Sequence, residues 1–368
     1  MDEHSWTIRP YKEGDETGYI TLMNNVFPRY KCDLKRWHWE SIDNPFGSIQ
    51  IFGDFRGKIV GHMELICVPI KIENHVIRGS QAVDLAVHPS FRHKGMFLEI
   101  GKKLMQNAAN EGIPISYGVP NEPAYRGHLK YGWFHVSEIP ILIKIMSNKG
   151  FAIFVLAKFL DLVRRPRFKL MLKFMVQIKN LIKVFFIGHY KNVLFTNDFK
   201  KHIVSSFNER IDKLWKKASK QFRLIIVRNA EYLNWRYVRK PHSKYAILTV
   251  EKNCGIEGFV VLSTEIHGPL KLKEGFIVDI FAKSENAIHS LLQLALSYFV
   301  KENVDLATCW MMKNHVPYNC LLERGFINDS LSSQKLICRI NTDDNEFKKL
   351  YRRVEKEWFF TMGDSDIV

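Results

Sequence analysis

The chain repeats a set of landmarks in the same order and at nearly equal spacing. Trp39 precedes Pro45 by six residues, and Asp84 follows Trp39 by 45. In the second half, Trp235 precedes a proline by six residues, and Asp279 follows Trp235 by 44. Each half then has an asparagine eleven residues before a Gly-aromatic pair, at Asn121 with Gly132-Trp133 and at Asn314 with Gly325-Phe326. Because the order and spacing persist, we predict one fold used twice.

Both halves also show the same predicted order of strands and helices. Apolar runs predict strands, and an apolar period near 3.6 residues predicts a long helix before the last strand of each half. The predicted strands span 49–55, 60–69, 81–87, 114–119, 245–251, 258–263, 275–281 and 306–312, with helices over 95–111 and 284–302. The fold class is therefore α/β (α+β), with a mixed, mostly antiparallel sheet flanked by helices in each half.

The basic charge of the chain is concentrated between the repeats. The formal net charge is +16, and residues 141–220 contain 18 Lys and Arg against 4 Asp and Glu. We predict a first domain over 1–140, a basic amphipathic helical linker over 141–195, a second, degenerate domain over 196–342, and a C-terminal helix with a loose acidic tail over 343–368. The apolar face of the linker has two interpretations: packing on both domains, which we prefer, or peripheral contact of 150–187 with an anionic membrane.

Cysteine usage and the N-terminal sequence indicate a cytoplasmic protein. The six cysteines are scattered without a Cys-x-x-Cys pair, which argues against a disulfide framework or a zinc site. The N-terminus lacks the basic and apolar regions of a signal peptide, and no stretch of eighteen residues is free of charge. Cys67 lies in an apolar strand, which favours a core position over an acyl-enzyme nucleophile.

A basic glycine loop follows the strand over 81–87. The segment from Arg92 to Phe97 reads Arg-His-Lys-Gly-Met-Phe and opens the next helix. Strand, Arg-x-x-Gly loop and helix together resemble the central motif of the GNAT acyltransferases, although Phe97 departs from the family's small residue. Asn121 and the aromatic-Gly-aromatic sequence at Tyr131 resemble the later GNAT motif. No glycine follows Asp279 at the corresponding place, so we expect only the first domain to bind acyl-CoA.

The physical chemistry of the loop agrees with this resemblance. Free N–H groups at a helix N-terminus bind anions, a glycine lets the backbone approach a pyrophosphate, and basic side chains raise the local potential. The exposed strand edge would offer backbone groups to the pantetheine arm. The residues predicted to bind the cofactor are Leu85, Ala86, Val87, Arg92, His93, Lys94, Gly95, Met96, Phe97 and Asn121.

Three residues are candidates for catalysis. Strand alternation places Val83, Leu85 and Val87 on one face, so that Asp84 and Ala86 share the other. The resemblance implies that an acid at this position meets the substrate amine, but Asp279 recurs without a cofactor loop, which leaves a structural role open. His128 occupies the position at which the family often has a Tyr general acid, and Tyr131, with Tyr125 also nearby, is the alternative.

The tandem arrangement resembles the two-domain sugar N-acyltransferases of bacterial surface-polysaccharide pathways. This resemblance implies transfer of an acetyl or short hydroxyacyl group to a nucleotide-linked (dTDP) amino-deoxysugar in O-antigen, capsule or lipopolysaccharide biosynthesis, by direct attack in a ternary complex and without a metal. The residues predicted to bind the acceptor are Trp37, Trp39, Trp235, Arg236 and Tyr237. The alternatives are an aminoacyl-tRNA-dependent ligase of peptidoglycan synthesis, which would not need the Arg92 loop, and a non-enzymatic membrane-surface adaptor. We do not expect nucleic-acid binding.

Overall fold

The computed structural model describes residues 6–28, 32–164 and 199–366. Within these residues, fourteen strands form one mixed, mostly antiparallel sheet. The strands are β1 Thr7–Pro10, β2 Ser48–Phe55, β3 Lys58–Ile72, β4 His75–Val87, β5 Ile115–Gly118, β6 Phe134–Ile145, β7 Lys200–Val204, β8 Leu224–Ile226, β9 Ala246–Lys252, β10 Gly255–His267, β11 Leu272–Ala282, β12 Leu306–Trp310, β13 Ile327–Ile340 and β14 Trp358–Phe359. The α-helices are Asp15–Val26, Leu34–Trp37, Met96–Asn110, Glu122–His128, Asn148–Arg164, Glu209–Ala218, Ala230–Leu233, Glu285–Lys301, Val316–Glu323 and Asn345–Val354. The predicted strands and the two long predicted helices are present, and the fold class is confirmed.

The two halves exchange one strand each. The main path of the sheet runs β1-β2-β3-β4-β5-β13-β6-β12-β11-β10-β9-β7. The last strand of the second half, β13, lies beside β5, and the last strand of the first half, β6, lies beside β12. β6 and β13 pair antiparallel at the centre, so the strand order reads the same from either end. The halves are therefore related by an approximate two-fold and share one sheet.

The tryptophans of the repeat meet across this approximate two-fold. Trp39 and Trp235 each lie in a π-helical turn, at His38–Ile42 and Asn234–Val238, directly after a short α-helix. Their rings stack 5.2 Å apart at 17°. The Trp39 Nε1–H donates to the Trp235 carbonyl at 2.7 Å, and the Trp235 Nε1–H donates to the Trp39 carbonyl at 2.9 Å. The landmark that revealed the repeat is thus an internal pair joining the halves.

The predicted linker begins inside a strand. β6 crosses residue 140, and the helix Asn148–Arg164 follows it. Residues 165–198, which include most of the segment 150–187 predicted for possible membrane contact, lie outside the described residues. Among the helices that the structure describes, none is long and apolar enough to cross a membrane.

The C-terminal segment is part of the core, so the prediction of a loose acidic tail is wrong. β14 pairs parallel with β8, and Thr361 bridges to Met311 at the end of β12. Asp364 is fully buried and forms an ion pair with Arg228, Oδ2 to Nη2, at 2.8 Å. Asp364, one of the acidic residues that suggested solvent contact, instead neutralises a buried arginine.

Candidate active site

A cleft opens where β4 and β5 separate. The two parallel strands pair only through Ser80 and Gln81 with Ser116 and Tyr117. Beyond Gln81 they diverge, and a cavity of about 350 Å³ lies between them. Its lining residues are Met23, Phe27, Met63, Ala82, Val83, Asp84, Leu85, Gly118, Val119, Pro120, Asn121, Ala124, His128 and Asp366. The carboxyl ends of diverging parallel strands are a common place for a ligand site.

The predicted phosphate loop stands at the N-terminus of a long helix. Gly95 is the N-cap residue of Met96–Asn110 and has φ +101°, a conformation that favours glycine. His93 also has a positive φ, +63°, and the side chains of His93 and Lys94 are exposed. The first N–H groups of this fifteen-residue helix lack intrahelical partners, so they can receive a phosphate. The Arg92 Nε–H donates to the Val87 carbonyl at 3.1 Å, which ties the loop to the end of β4.

Phe97 fills a space left by a glycine. A Cβ on Gly127 would lie 2.5 Å from the Phe97 ring, so the ring packs directly on the Gly127 backbone. Phe97 also contacts the His128 and Tyr131 rings edge-on, at centroid distances of 5.6 and 5.9 Å. The large side chain of Phe97, where the family has a small residue, is therefore accommodated in this chain by Gly127.

A β-bulge in β4 places Asp84. His62 pairs with Ala86 and Glu64 pairs with Val83, so two residues of β4 oppose one residue of β3. Asp84 has φ +50°, in the left-handed region that residues other than glycine rarely adopt. Strand alternation is broken here: Val83 joins the core around Tyr117, whereas Leu85 and Val87 pack in the core around Met96. The prediction that Val83, Leu85 and Val87 share a face is wrong, because the bulge inserts a residue between Val83 and Leu85.

Asp84 and Ala86 nevertheless meet the same neighbour, Tyr19. The Tyr19 hydroxyl donates to Asp84 Oδ2, and Ala86 packs in the small core that contains Tyr19. Asp84 is 8% exposed and lines the cleft together with Asp366. Burial raises the pKa of Asp366, and the negative charge of Asp84 raises it further. Two carboxyl groups with this proximity favour an approaching ammonium.

His128 and Tyr131 form a buried hydrogen-bonded pair. The Tyr131 hydroxyl lies 2.5 Å from His128 Nδ1, and His128 lines the cleft whereas Tyr131 lies behind it. Burial lowers the pKa of His128 to about 4 and raises that of Tyr131. Both groups are therefore neutral at pH 7, and His128 can offer an N–H to a leaving sulfur but does not carry a positive charge there.

Further ionisable groups lie buried behind the cleft. Burial, and then the charge of Asp84, raise the pKa of Glu40 to about 7. Burial also raises the pKa of Glu64, whose Oε2 accepts a hydrogen bond from Ser41 at 3.1 Å. Arg36 Nη2 lies 3.5 Å from Glu40 Oε2, and its positive charge compensates part of the negative charge of these carboxyl groups. The acidic character of the cleft thus continues into the interior.

The aromatic residues predicted to stack on an acceptor are buried, and that prediction is wrong. Trp37 donates from Nε1 to Gln50 at 3.2 Å, and Trp39 and Trp235 stack on each other. Arg236 Nε–H donates to the Gly363 carbonyl at 2.9 Å, and Tyr237 donates to Asp279. These side chains are at most 4% exposed. The repeated aromatic landmarks record packing between the halves.

Of the other residues predicted to bind the cofactor, some line the cleft and others are buried beneath it. Leu85 and Asn121 line the cleft, and Asn121 also caps the helix Glu122–His128 by accepting from the Ala124 N–H at 3.0 Å. Ala86 and the Met96 side chain are buried in the core, so they position the strand and the helix. Cys67 is also buried, in the core position that we preferred.

The corresponding aspartate of the second half is fully used inside the protein. Asp279 Oδ2 lies 3.2 Å from Arg228 Nε and accepts from the Tyr237 hydroxyl at 3.0 Å. Thr361, from the C-terminal segment, donates to Asp279 Oδ1 at 3.2 Å. The acid of the repeat is therefore structural in the second half, where the C-terminal segment packs against it.

In the part of the chain that the structure describes, one group of side chains has the ligand types of a metal site. Glu285, His289 and Cys320 each place one ligand atom within 4.8 Å of the others. His289 Nε2 lies 3.8 Å from Glu285 and 3.4 Å from Glu323, and both glutamates are more than half exposed. This group lies on two helices of the second half, outside the cleft, and its contacts are those of a histidine between two carboxylates.

Sequence reasoning did not identify Tyr19, His62 or Asp366. Tyr19 lies in an ordinary amphipathic helix, and His62 lies in an apolar strand far from any motif. Asp366 lies in the segment interpreted as a tail. Only their three-dimensional proximity to Asp84 marks them, so no spacing in the sequence could have found them.

Comparisons with known proteins agree with the geometry of the first half. Residues 7–135 match the family model of an acetyltransferase (GNAT) domain. The chain therefore carries this domain in its first half and is an acyltransferase. A search among curated proteins found no match.

Solved structures share the fold over nearly the whole chain. A probable N-acyltransferase from Enterococcus faecalis V583 superposes with TM-score 0.63 at 12% identity, covering 92% of this chain and 73% of its own. A GCN5-related N-acetyltransferase from Anabaena variabilis gives TM-score 0.63 at 11% identity, with coverages of 92% and 73%. Saccharomyces cerevisiae N-myristoyltransferase with bound myristoyl-CoA gives TM-score 0.55 at 12% identity, with coverages of 92% and 79%. At these identities the likeness establishes a GNAT-like fold and nothing finer.

Proposed function

We propose that the chain transfers an acyl group from acyl-CoA to a primary amine in the cleft between β4 and β5. The observation that carries the proposal is the cleft at the diverging edge of β4, which Asp84 lines. The helix that begins after Gly95 adjoins this cleft, because Phe97 in its first turn packs edge-on against the His128 ring that lines it. The diphosphate of CoA would bind at the loop, and the pantetheine arm would run along β4. The thioester would then reach the cleft near Asp84.

The chemistry follows from the groups in the cleft. Asp84 accepts a proton from the acceptor ammonium, and Asp366 adds negative charge that favours ammonium binding. The neutral amine attacks the thioester carbonyl carbon, the new C–N bond forms, and the C–S bond breaks. The CoA sulfur leaves as a thiolate and takes the proton that the attacking nitrogen loses as it becomes the amide. His128 is the nearby group that can stabilise the thiolate by hydrogen bonding. The products are an amide and CoA.

The role of Asp84 is tested by replacing it with an isosteric neutral group. We expect Asp84→Asn to lower kcat by about 10²-fold, the contribution of a general base, while the Kd for acetyl-CoA changes little. Asp43→Asn is a matched control, because Asp43 is an exposed aspartate at the end of the π-helical turn. Release of CoA is followed by chromatography. Wild-type kcat in Asp84→Asn would remove Asp84 from the mechanism.

The acceptor that we propose to test first is a nucleotide-linked amino sugar. Its support is the tandem architecture, as well as a cleft whose acidic groups suit an amine. Because Trp39 and Trp235 are buried, the nucleotide would have to bind outside them. A dTDP-amino sugar is compared with the same free sugar, a peptide amine and an aminoglycoside. Equal use of the free sugar would refute the nucleotide-sugar assignment and leave the acyltransferase proposal standing.

A measurement of acetyl-CoA binding separates the proposed function from the two alternative functions. An aminoacyl-tRNA-dependent ligase and a membrane-surface adaptor do not need the glycine loop at Gly95, and neither would release CoA from acetyl-CoA. Saturable binding of acetyl-CoA to the wild-type protein, measured by calorimetry, is the expected result. Absence of binding at millimolar acetyl-CoA would refute the acyl-CoA proposal.

A further inference from the structure

The carboxyl group of Asp84 depends on a backbone that the strand alone would not adopt. Asp84 sits in the bulge of β4 with φ +50°, a conformation disfavoured for a residue with a Cβ. Such backbone conformations persist where the surroundings hold them, and they concentrate at functional sites. The groups that hold Asp84 therefore decide where its carboxyl group lies.

The first of these groups is Tyr19. Its hydroxyl donates to Asp84 Oδ2, and its side chain is 1% exposed, so water does not compete for this hydrogen bond. Within the described residues, no hydrogen bond reaches Asp84 Oδ1. One carboxylate oxygen is thus held from inside the protein, and the other stays available in a residue that lines the cleft.

The second group is His62 on β3. Its Nδ1 lies 2.9 Å from the Asp84 carbonyl oxygen, and because a carbonyl only accepts, Nδ1 must carry the hydrogen. Burial lowers the pKa of His62 to about 4, so the ring is neutral at pH 7 and has only this N–H. The single donor of a fully buried histidine is therefore used to fix the backbone of the bulge.

The two groups also support each other. The Tyr19 and His62 rings pack edge-on with centroids 4.6 Å apart and planes at 64°. The helix that carries Tyr19 approaches β3 closely at the preceding residue, since a Cβ on Gly18 would lie 2.7 Å from Ile59. Helix, ring pair and bulge therefore form one packed unit behind the carboxyl group.

From this arrangement we infer that Tyr19 and His62 are positioning residues for Asp84, which fix its backbone and one carboxylate oxygen so that the other receives the acceptor amine. The inference rests on the proposed function of the cleft. It adds two residues that touch neither acyl-CoA nor acceptor and act only through Asp84.

The test removes the hydroxyl and keeps the ring. Tyr19→Phe loses a donor that stabilises the charged carboxylate, so activity should begin at a pH higher by about one unit, and kcat should fall about tenfold. The Kd for acetyl-CoA should stay within twofold of wild type. The titratable groups near the carboxylate that remain in place are Cys32, Arg36, Glu40, His62, Glu64 and Asp366.

A matched tyrosine supplies the control. Tyr11 packs on Trp37 and Phe52, and its hydroxyl donates to Glu16, away from Asp84. Tyr11→Phe should leave both kcat and the pH profile as in wild type. If Tyr11→Phe and Tyr19→Phe alter kcat and the pH profile equally, the effect is general and the inference is overturned.

A double-variant cycle distinguishes this inference from the function on which it rests. In an Asp84→Asn background, Tyr19→Phe should lower kcat by less than twofold further, because its effect passes through Asp84. A further tenfold loss would show that Tyr19 acts independently and would overturn the inference. If Asp84→Asn is fully active, the proposed role of Asp84 fails. If Asp84→Asn is impaired but Tyr19→Phe matches wild type, only the positioning role fails.

Discussion

Replacing Gly95 by aspartate should weaken acyl-CoA binding by about 10²-fold without unfolding the chain. A Cβ at Gly95 would meet only Glu99 Oε1 at 3.7 Å, an ordinary contact, so the new side chain has room. Its backbone, at φ +101°, costs an L-residue about 1–2 kcal/mol. The larger effect is electrostatic: at about 6 Å and an effective dielectric constant of about 40, each phosphate charge is opposed by about 1.4 kcal/mol. Two such charges weaken CoA binding by about 10²-fold.

The other end of the same helix provides the control. Gly112 also has a positive φ, +68°, and no atom within 4 Å of an added Cβ. Gly112→Asp therefore imposes a comparable backbone cost more than twenty Å from the loop, since fifteen helical residues span about 22 Å. Calorimetry with acetyl-CoA should give a wild-type Kd for Gly112→Asp, a modest loss for Gly95→Ala, and the full loss for Gly95→Asp. If Gly95→Asp is folded and binds acetyl-CoA within threefold of wild type, the phosphate site is elsewhere.

Three further predictions concern stability. The pKa of His128 is 6.5 in the unfolded chain and about 4 in the folded protein, so its contribution to stability is present above pH 6.5 and is lost as the pH falls to 4. Between these two pH values the free energy of unfolding should therefore drop by about 3 kcal/mol more in wild type than in His128→Gln. Parallel curves of unfolding free energy against pH would contradict the burial of His128. Arg228→Met leaves the buried Asp364 without its ion-pair partner, so urea unfolding should show a loss of about 3–5 kcal/mol in the free energy of unfolding. Arg210→Met, at an exposed ion pair, should lose less than about 1 kcal/mol. Equal losses in the two variants would count against the buried network. Trp235→Phe removes a buried hydrogen bond, so it should destabilise the protein by about 1–3 kcal/mol and leave the KM for the acceptor unchanged. A raised KM at unchanged stability would instead support a role for Trp235 in stacking on the acceptor.

The sequence predicted the parts of the fold that depend on local pattern. Strand and helix periodicity located eight of the strands and the two long helices of the halves, and the equal spacing from Trp39 and Trp235 located the repeat. β6 and β13 were not predicted as strands. Their exchange also escaped prediction, because nothing in either strand specifies which of two nearly equivalent neighbours it will pair with. The burial of the C-terminal segment was not predicted for a related reason. An acidic residue such as Asp364 is expected at the surface unless its partner is known, and Arg228 is far away in the sequence.

The candidate site divides along the same line. The loop at Gly95 has a local signature, because a helix N-terminus and a glycine must be consecutive in the chain. Asp84 was found by its contrast with apolar neighbours, but the bulge that orients it depends on pairing with β3. Tyr19 and Asp366 reach Asp84 from distant parts of the chain, so only the packed structure brings them together.

The exchanged strands also determine when the sheet can be completed during synthesis on the ribosome. β5 completes its pairing with Ile337–Ile340 of β13, roughly 200 residues after it has left the exit tunnel. At about 5–20 residues per second, the nascent first half waits about 10–40 seconds with an open strand edge beside an unfinished core. During that interval it is exposed to misassociation and to chaperone capture, and a ribosome stalled before β13 would release a chain that cannot close its sheet.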